Sequence, residues 1–252
     1  MSKPPWKTAW VVGASTGIGR DLAIKLAYLG VEVAVSSRSA DKLEELGSQH
    51  ENIEPFALDV TDTASVADAH RRIVEDVGPI DLAVLNAGVW HPMTVSEFNV
   101  DQCRQSMDVN HGGITNALQP LLPSMLSRNS GHIALVASVA GYRGLPKALA
   151  YAPSKAAVIS LAEVLKLELE STAIDVSLIN PGFVETPMTS VNDFPMPYII
   201  SSDDAAERIL KGLQRRKFEI AFPWQLVWSL KFLRILPYGL YFPLARRLTR
   251  GG

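Results

Sequence analysis

Seven short apolar runs punctuate this 252-residue chain, and most are separated by stretches with apolar residues at helical spacing. They read T-A-W-V-V from residue 8, V-E-V-A-V-S from 31, I-E-P-F-A-L-D-V from 53 and I-D-L-A-V-L from 80. The later three are G-H-I-A-L-V-A from 131, I-D-V-S-L-I-N from 174 and F-E-I-A-F-P from 218. Runs of this length suit strands buried on both faces, and strands alternating with helices imply βαβ units. The expectation is an α/β fold, a single domain over 1–252 built as a doubly wound parallel sheet with helices on both faces. Its core spans about 7–223, with an apolar-basic extension over 224–252. Functional loops in such sheets lie at the C-terminal ends of strands, which is where Asp59, Asn86 to Gly88, Ser138 and Pro181 to Thr186 fall.

The first run leads into G-A-S-T-G-I-G-R and then the helical stretch D-L-A-I-K-L-A-Y-L-G. Strand, glycine turn and helix are the context of a Rossmann-type dinucleotide site. Gly13 permits the tight turn, Gly17 lets backbone approach a pyrophosphate, and Gly19 lets helix pack on strand. The spacing is G-x-x-x-G-x-G rather than G-x-G-x-x-G. The second run ends at Ser36, Ser37 and Arg38, with no acid. An acid there binds a ribose 2′-hydroxyl, whereas an arginine accommodates a 2′-phosphate. Arg38 therefore argues for NADP(H) over NAD(H), against the plainer reading of a solvated loop charge. Asp41 reads as the next helix's N-cap, because D-K-L-E puts Glu44 three residues on.

The fifth run delivers Ser138, and the stretch S-V-A-G-Y-R-G-L-P-K-A-L-A-Y-A-P-S-K follows from it. Tyr151 and Lys155 are four apart, so a helix puts phenol and ammonium on one face. A free tyrosine, with a pKa near ~10, exchanges protons poorly at neutral pH. A lysine charge beside it favours the phenolate and lowers that pKa, making the group usable as an acid or base. Taken alone, the pair is a common accident of helices. Asn110 sits in D-V-N-H-G-G within an otherwise helical stretch. Glycines cost a helix about 1 kcal/mol each, so a local irregularity is expected there.

These residues resemble the short-chain dehydrogenase/reductase family over about 7–223: G-A-S-T-G-I-G, D-V at 59, N-A-G at 86, V-N-x-x-G at 109, the serine strand, Y-x-x-x-K and P-G-x-x-x-T at 181. Each motif is modestly specific, but their joint order and spacing are highly so. The resemblance implies hydride transfer between a nicotinamide and a carbonyl or alcohol carbon. Tyr151 would be the acid/base, Lys155 would lower its pKa and hold the nicotinamide ribose, and Ser138 would bond the substrate oxygen. Asn110 would anchor a water linking Lys155 to solvent. The cofactor would be held by Gly13, Ser15, Thr16, Gly17, Ile18, Gly19 and Arg38. Asp59 and Val60 would meet the adenine, Asn86, Ala87 and Gly88 would wall the cofactor, and Pro181, Gly182, Val184 and Thr186 would meet the carboxamide side, with Tyr151 and Lys155 touching it too. A homodimer or homotetramer, built partly from the Asn110 and Tyr151 helices, is also implied. The sequence departs at Val12, usually threonine, and at Leu85, often asparagine.

Charge and composition narrow the partners. A net charge of −2 argues against nucleic acid, and five histidines without ligand spacing leave a metal site unsupported. The single Cys103 excludes an internal disulfide and fits a reducing compartment, and it reads as a small buried side chain. The N-terminus lacks an apolar signal core, so a cytoplasmic location is expected. Pocket walls are expected from Val89 to Pro92, Val139 to Leu145, Phe183, Met188 and residues 191–200, mostly apolar, favouring a hydrophobic ketone, aldehyde or alcohol. Reduction of a carrier-bound 3-oxoacyl group and a non-catalytic dinucleotide sensor are the alternatives, and the intact Ser138, Tyr151 and Lys155 weigh against the sensor. From Arg208 onward there are ten basic residues and one acid. The uncharged runs of 224–252 reach only eleven residues, short of the ~20 that span a bilayer. That extension either lies on an anionic membrane surface or packs over the cleft or against another subunit, and the second reading is preferred.

Overall fold

The computed structural model describes residues 4–250, so positions 1–3 and 251–252 of the expected 1–252 domain lie outside the described residues. The first half runs β1 (Thr8–Val12), α1 (Gly17–Tyr28), β2 (Glu32–Ser36), α2 (Ala40–Gly47), β3 (Ile53–Pro55), α3 (Thr63–Asp76) and β4 (Leu82–Leu85). Then come α4 (Val100–Met107), α5 (Gly113–Arg128), β5 (Gly131–Val136), α6 (Tyr151–Glu168) and β6 (Ile174–Pro181). The chain ends with β7 (Val184–Glu185), β8 (Ile200–Ser201), α7 (Ser202–Gln214), β9 (Glu219–Phe222), α8 (Trp224–Ile235) and α9 (Tyr238–Arg250).

Seven strands pair in parallel in the order β3-β2-β1-β4-β5-β6-β9, and β7 and β8 make a separate parallel pair. Alternation along each strand divides the core. On β1, Trp10 and Val12 face α3, α5 and α6, while Ala9 and Val11 face α1, α2 and α7. The strand order reverses between β1 and β4, and a crevice opens there at the strands' carboxyl ends.

Two expected details change. The third run pairs with β2 as a regular strand only over Ile53–Pro55. Beyond it the chain stays tied by Phe56 N–H to Val35 and Leu58 N–H to Ser37. Asp41 is not an N-cap: α2 starts at Ala40 behind Ser39, and Asp41 lies in its first turn. The carboxylate there still complements the helix dipole. The expected irregularity at Asn110 is a π-helical turn, Asp108–Gly112, between α4 and α5. It lets Asn110 turn inward, fully buried.

The C-terminal helices fasten the segment between Ser138 and Tyr151, gripping three consecutive residues. Tyr142 donates to Glu219 at 2.5 Å, and Glu219 also accepts from Asn180 at 3.1 Å and pairs with Lys231 of α8. Arg143 donates to the carbonyls of Arg234 (3.0 Å) and Leu236 (3.3 Å) at the end of α8 and lies over the rings of Tyr238 and Tyr241. The Tyr241 hydroxyl donates to the Gly144 carbonyl. The inner faces of α8 and α9 pack against the chain's own core.

Burial alone would raise the Glu219 carboxyl, but the bonds from Lys231, Tyr142 and Asn180 outweigh it and hold it below the ordinary value of 4.5. A carboxylate held low stabilises the fold fully above that value, and the contribution is lost as pH falls below it. Replacing Glu219 by Ala leaves buried donors unpaired, at a cost of about 2 kcal/mol, or roughly 4–8 °C in Tm at pH 7. The gap should narrow on acidification below pH 4.5. Thermal melts at both pH values check it, and an equal Tm at pH 7 contradicts it.

Candidate active site

The crevice is lined from six strand ends. From β1 and the start of α1 come Gly13, Ser15, Thr16, Gly17 and Ile18, and from β2 come Ser37, Arg38 and Ser39. Leu58 and Val60 follow β3, Asn86 to Val89 follow β4, and Val136 to Ser138 end β5. Pro181, Gly182, Val184, Thr186, Met188 and Thr189 follow β6, and Val109, Tyr151 and Lys155 complete the wall.

Gly13 adopts φ +84°, and a Cβ there would sit 2.7 Å from Ala87 backbone. A Cβ on Gly19 would lie 2.3 Å from the Gly13 carbonyl. Both sites exclude any side chain, so α1 starts directly against the β1 turn. Gly19 itself is buried beneath the cleft rather than lining it. Asn86 ties the loops by donating to the Gly13 carbonyl at 2.8 Å. Thr16, at the N-cap of α1, makes no side-chain cap bond, and the first turn holds no acid. The orphan amides of a twelve-residue helix therefore open on the cleft with positive dipole and no internal anion. A pyrophosphate group fits such an end.

Asp59 does not line the cleft. It accepts from the Thr61 N–H (2.9 Å) and hydroxyl (2.8 Å), which together with the Arg38 charge hold its carboxyl low. Val60 and Leu58 present the apolar wall in its place. Arg38 is exposed at the rim between two serines.

At the other end stand Ser138, Tyr151 and Lys155. The Ser138 hydroxyl donates to the Pro181 carbonyl at 3.3 Å, accepts from Ala140 N–H at 3.1 Å, and neighbours the Tyr151 phenol. Capping a loop and facing the tyrosine are thus one position's two duties. Lys155 is buried, donates to the Val136 carbonyl at 2.9 Å, and has its ammonium 5.6 Å from the Tyr151 ring centroid. Burial pushes Lys155 down to about 8. The Tyr151 phenol goes the other way: burial lifts it to about 12, opposed by the Ser138 hydrogen bond. The sequence-based expectation that the lysine charge lowers the phenol pKa is corrected here. Desolvation dominates in the chain itself, and the lysine hydrogen bond goes to backbone.

Asn110 lies behind this pair. Its carbonyl oxygen accepts from Val89 N–H at 2.7 Å, and its amide donates to the Val89 carbonyl (3.1 Å) and the Ser154 hydroxyl (2.9 Å). A Cβ added at Gly88 would sit 3.3 Å from the Asn110 oxygen and 3.5 Å from the Lys155 ammonium. Asn110 thereby joins the β4 loop to α6. Ser154 was not anticipated from sequence; its place one helical turn after Tyr151 and next to Lys155 was the available signal.

The substrate-side wall is narrower than expected, since Trp90 to Pro92, Val139 to Leu145, Phe183 and residues 191–200 are not among the residues that line the cleft. Val89 and Met188 line the cleft, and Trp90 packs edge-on to Tyr151, centroids 4.9 Å apart at 84°. Tyr142 does not, its hydroxyl being bonded to Glu219. Three successive residues of 191–200 are pinned: Asn192 accepts from the Trp90 indole (2.8 Å), Asp193 pairs with Lys147 (2.7 Å), and Phe194 meets Phe183 (6.1 Å). Thr189, also unanticipated, donates to the Val184 carbonyl at 2.6 Å and accepts from Thr186 N–H at 3.1 Å, shaping the turn after β7.

Comparison with known proteins agrees with this layout. The family model for short chain dehydrogenase matches residues 7–194. An oxidoreductase of Myxococcus xanthus, described as uncharacterized, is 37% identical over 252 residues, covering 98% of this chain and 100% of that one. A short chain dehydrogenase/reductase from Burkholderia phymatum, solved in complex with NAD, superposes with a TM-score of 0.83 at 24% identity, covering 92% of this chain and 94% of that one. An alcohol dehydrogenase from Thermococcus sibiricus, complexed with 5-hydroxy-NADP, gives a TM-score of 0.78 at 25% identity over 86% and 96% of the two chains. With its parallel sheet, its glycine turn and its Ser138–Tyr151–Lys155 constellation, the chain belongs to the short-chain dehydrogenase family of oxidoreductases.

Proposed function

We propose that the chain reduces hydrophobic ketones or aldehydes with NADPH, or oxidises the matching alcohols, using Tyr151 as the proton-transferring group. The observation that carries this reading is the Tyr151 phenol set beside the Ser138 hydroxyl, with the Lys155 ammonium 5.6 Å from its ring, in a cleft that begins at the open end of α1. A carbonyl gaining negative charge needs an aimed donor and a proton source. Ser138 and Tyr151 supply two O–H groups from one wall. The reduced nicotinamide, when bound, supplies the hydride.

The chain's own residues hold the proton and the cofactor. Tyr151 gives its proton to the substrate oxygen, and the Lys155 charge stabilises the phenolate left behind. Lys155 also reaches the ribose side of the cleft, where Gly88 and Asn110 face it. Through its hydrogen bonds to Val89 and Ser154, Asn110 fixes the β4 loop and α6 and places the water that returns a proton toward Lys155. Gly13, Ser15, Thr16, Gly17 and Ile18 hold the pyrophosphate, and Thr186 with Pro181, Gly182 and Val184 the carboxamide. Val60 faces the adenine, and Asn86, Ala87 and Gly88 form the wall.

Arg38, flanked by the Ser37 and Ser39 hydroxyls at the cleft rim, supports NADPH, because a guanidinium pairs a 2′-phosphate and no acid stands at this strand end. The relatives themselves include an NAD complex and an NADP-analogue complex. Val89, Trp90 and Met188 support an apolar substrate. Exposed Met107 on α4, Leu126 on α5 and Val164 and Leu167 on α6 support a homodimer or homotetramer through those helices.

Two substitutions test the assignment. Tyr151→Phe should lower kcat by at least about a thousandfold and leave NADPH binding, read by fluorescence titration, within a few fold; retained turnover refutes the role. Arg38→Asp should move the ratio of kcat/KM for NADPH over NADH toward NADH by about a hundredfold or more. Unchanged selectivity removes the basis for NADPH.

A further inference from the structure

α8 and α9 carry two unlike faces. The inner face, Val227, Leu230, Leu233 and Tyr241, is buried against the α6 side of the sheet. The outer face of α8 puts Trp224, Trp228, Phe232 and Ile235 on one stripe at i, i+4, i+8 and i+11, with Trp228 69% and Ile235 76% exposed. Tyr238 and Phe242 extend it onto α9, their rings stacked at 5.6 Å. Large aromatic side chains left in water this close together mark an interaction surface.

Charge decides what covers it. Residues 224–250 hold five basic residues and no acid. Lys231 pairs with Glu219, and Arg234 lies 3.9 Å from Glu163. Arg246 and Arg247 follow the exposed aromatics on α9. A second copy docking through this face by a two-fold axis would set these cations against themselves. An anionic lipid surface instead matches the cations and takes up the aromatic side chains, tryptophan and tyrosine being suited to the headgroup boundary. Among the described residues no helix is long and apolar enough to cross a membrane, so contact would be in the plane of the interface.

We infer that the outer face of α8 and α9 docks on anionic phospholipid. Helix α8 itself adjoins the cleft: a Cβ on Gly182, which lines the cleft, would lie 2.8 Å from Leu226 of α8. The same two helices grip residues 142–144. Docking does not depend on the proposed chemistry, and binding can be read without turnover.

The test is co-sedimentation of the full chain with vesicles of phosphatidylglycerol and phosphatidylcholine, and with phosphatidylcholine alone. The wild type should bind the mixed vesicles at least about tenfold more tightly, with a blue shift in tryptophan emission, and salt should weaken binding. Trp228→Ala/Phe232→Ala, at exposed positions that leave Tm unchanged, should cut partitioning at least about tenfold; Arg247→Glu should weaken only the anionic-vesicle binding. Absence of wild-type binding, equal binding to both vesicle types, or undiminished binding by the double variant overturns the inference. So does a drop in mass by light scattering in the double variant, which would make the face a contact between copies.

Discussion

A lysine ammonium buried at the end of β5 is the constraint on which the rest of this site depends. Taking Lys155 out of water disfavours its charge and draws it down to about 8. Its ammonium donates to the Val136 carbonyl at the end of β5. The same burial keeps the Tyr151 proton in place. Both shifts have burial as their main cause, which disfavours the charged form of each group, and α6 carries both groups to the crevice.

Holding that arrangement takes residues that never touch the reacting atoms. Asn110 bonds both backbone groups of Val89 and the Ser154 hydroxyl, which a regular helix would not allow it to reach. The π-helical turn is what aims it. On the other side Glu219 collects Tyr142, Asn180 and Lys231, so that the end of β6, the segment after Ser138 and α8 share one carboxylate. Buried networks of this kind are stabilising only when their members are satisfied together.

The sheet, its helices and most of the cleft were legible in the sequence because they rest on local signals. Period, glycine spacing and strand ends put Gly13 to Gly19, Asn86 to Gly88, Ser138 and Lys155 where they lie. What escaped depends on partners far along the chain. Tyr142 was counted as pocket wall, but its hydroxyl partner is 77 residues away, and the carbonyls capped by Arg143 are 91 and 93 residues on. Asp59 looked like a cofactor contact, yet its side chain is engaged by Thr61 two residues later. The sign of the Tyr151 shift also escaped, since spacing reports a neighbouring charge and says nothing of desolvation. The extension's inner and outer faces could not be told apart before α8 was seen against β9.

The central claim is that burial keeps Tyr151 a neutral phenol in the chain alone. Ultraviolet titration of the phenolate band, taken as the difference between the wild type and a variant with phenylalanine at 151, measures this directly. The account predicts no phenolate signal from Tyr151 through pH 9, in keeping with a pKa of about 12. A Tyr151 phenolate appearing below pH 8 in the chain alone would contradict it.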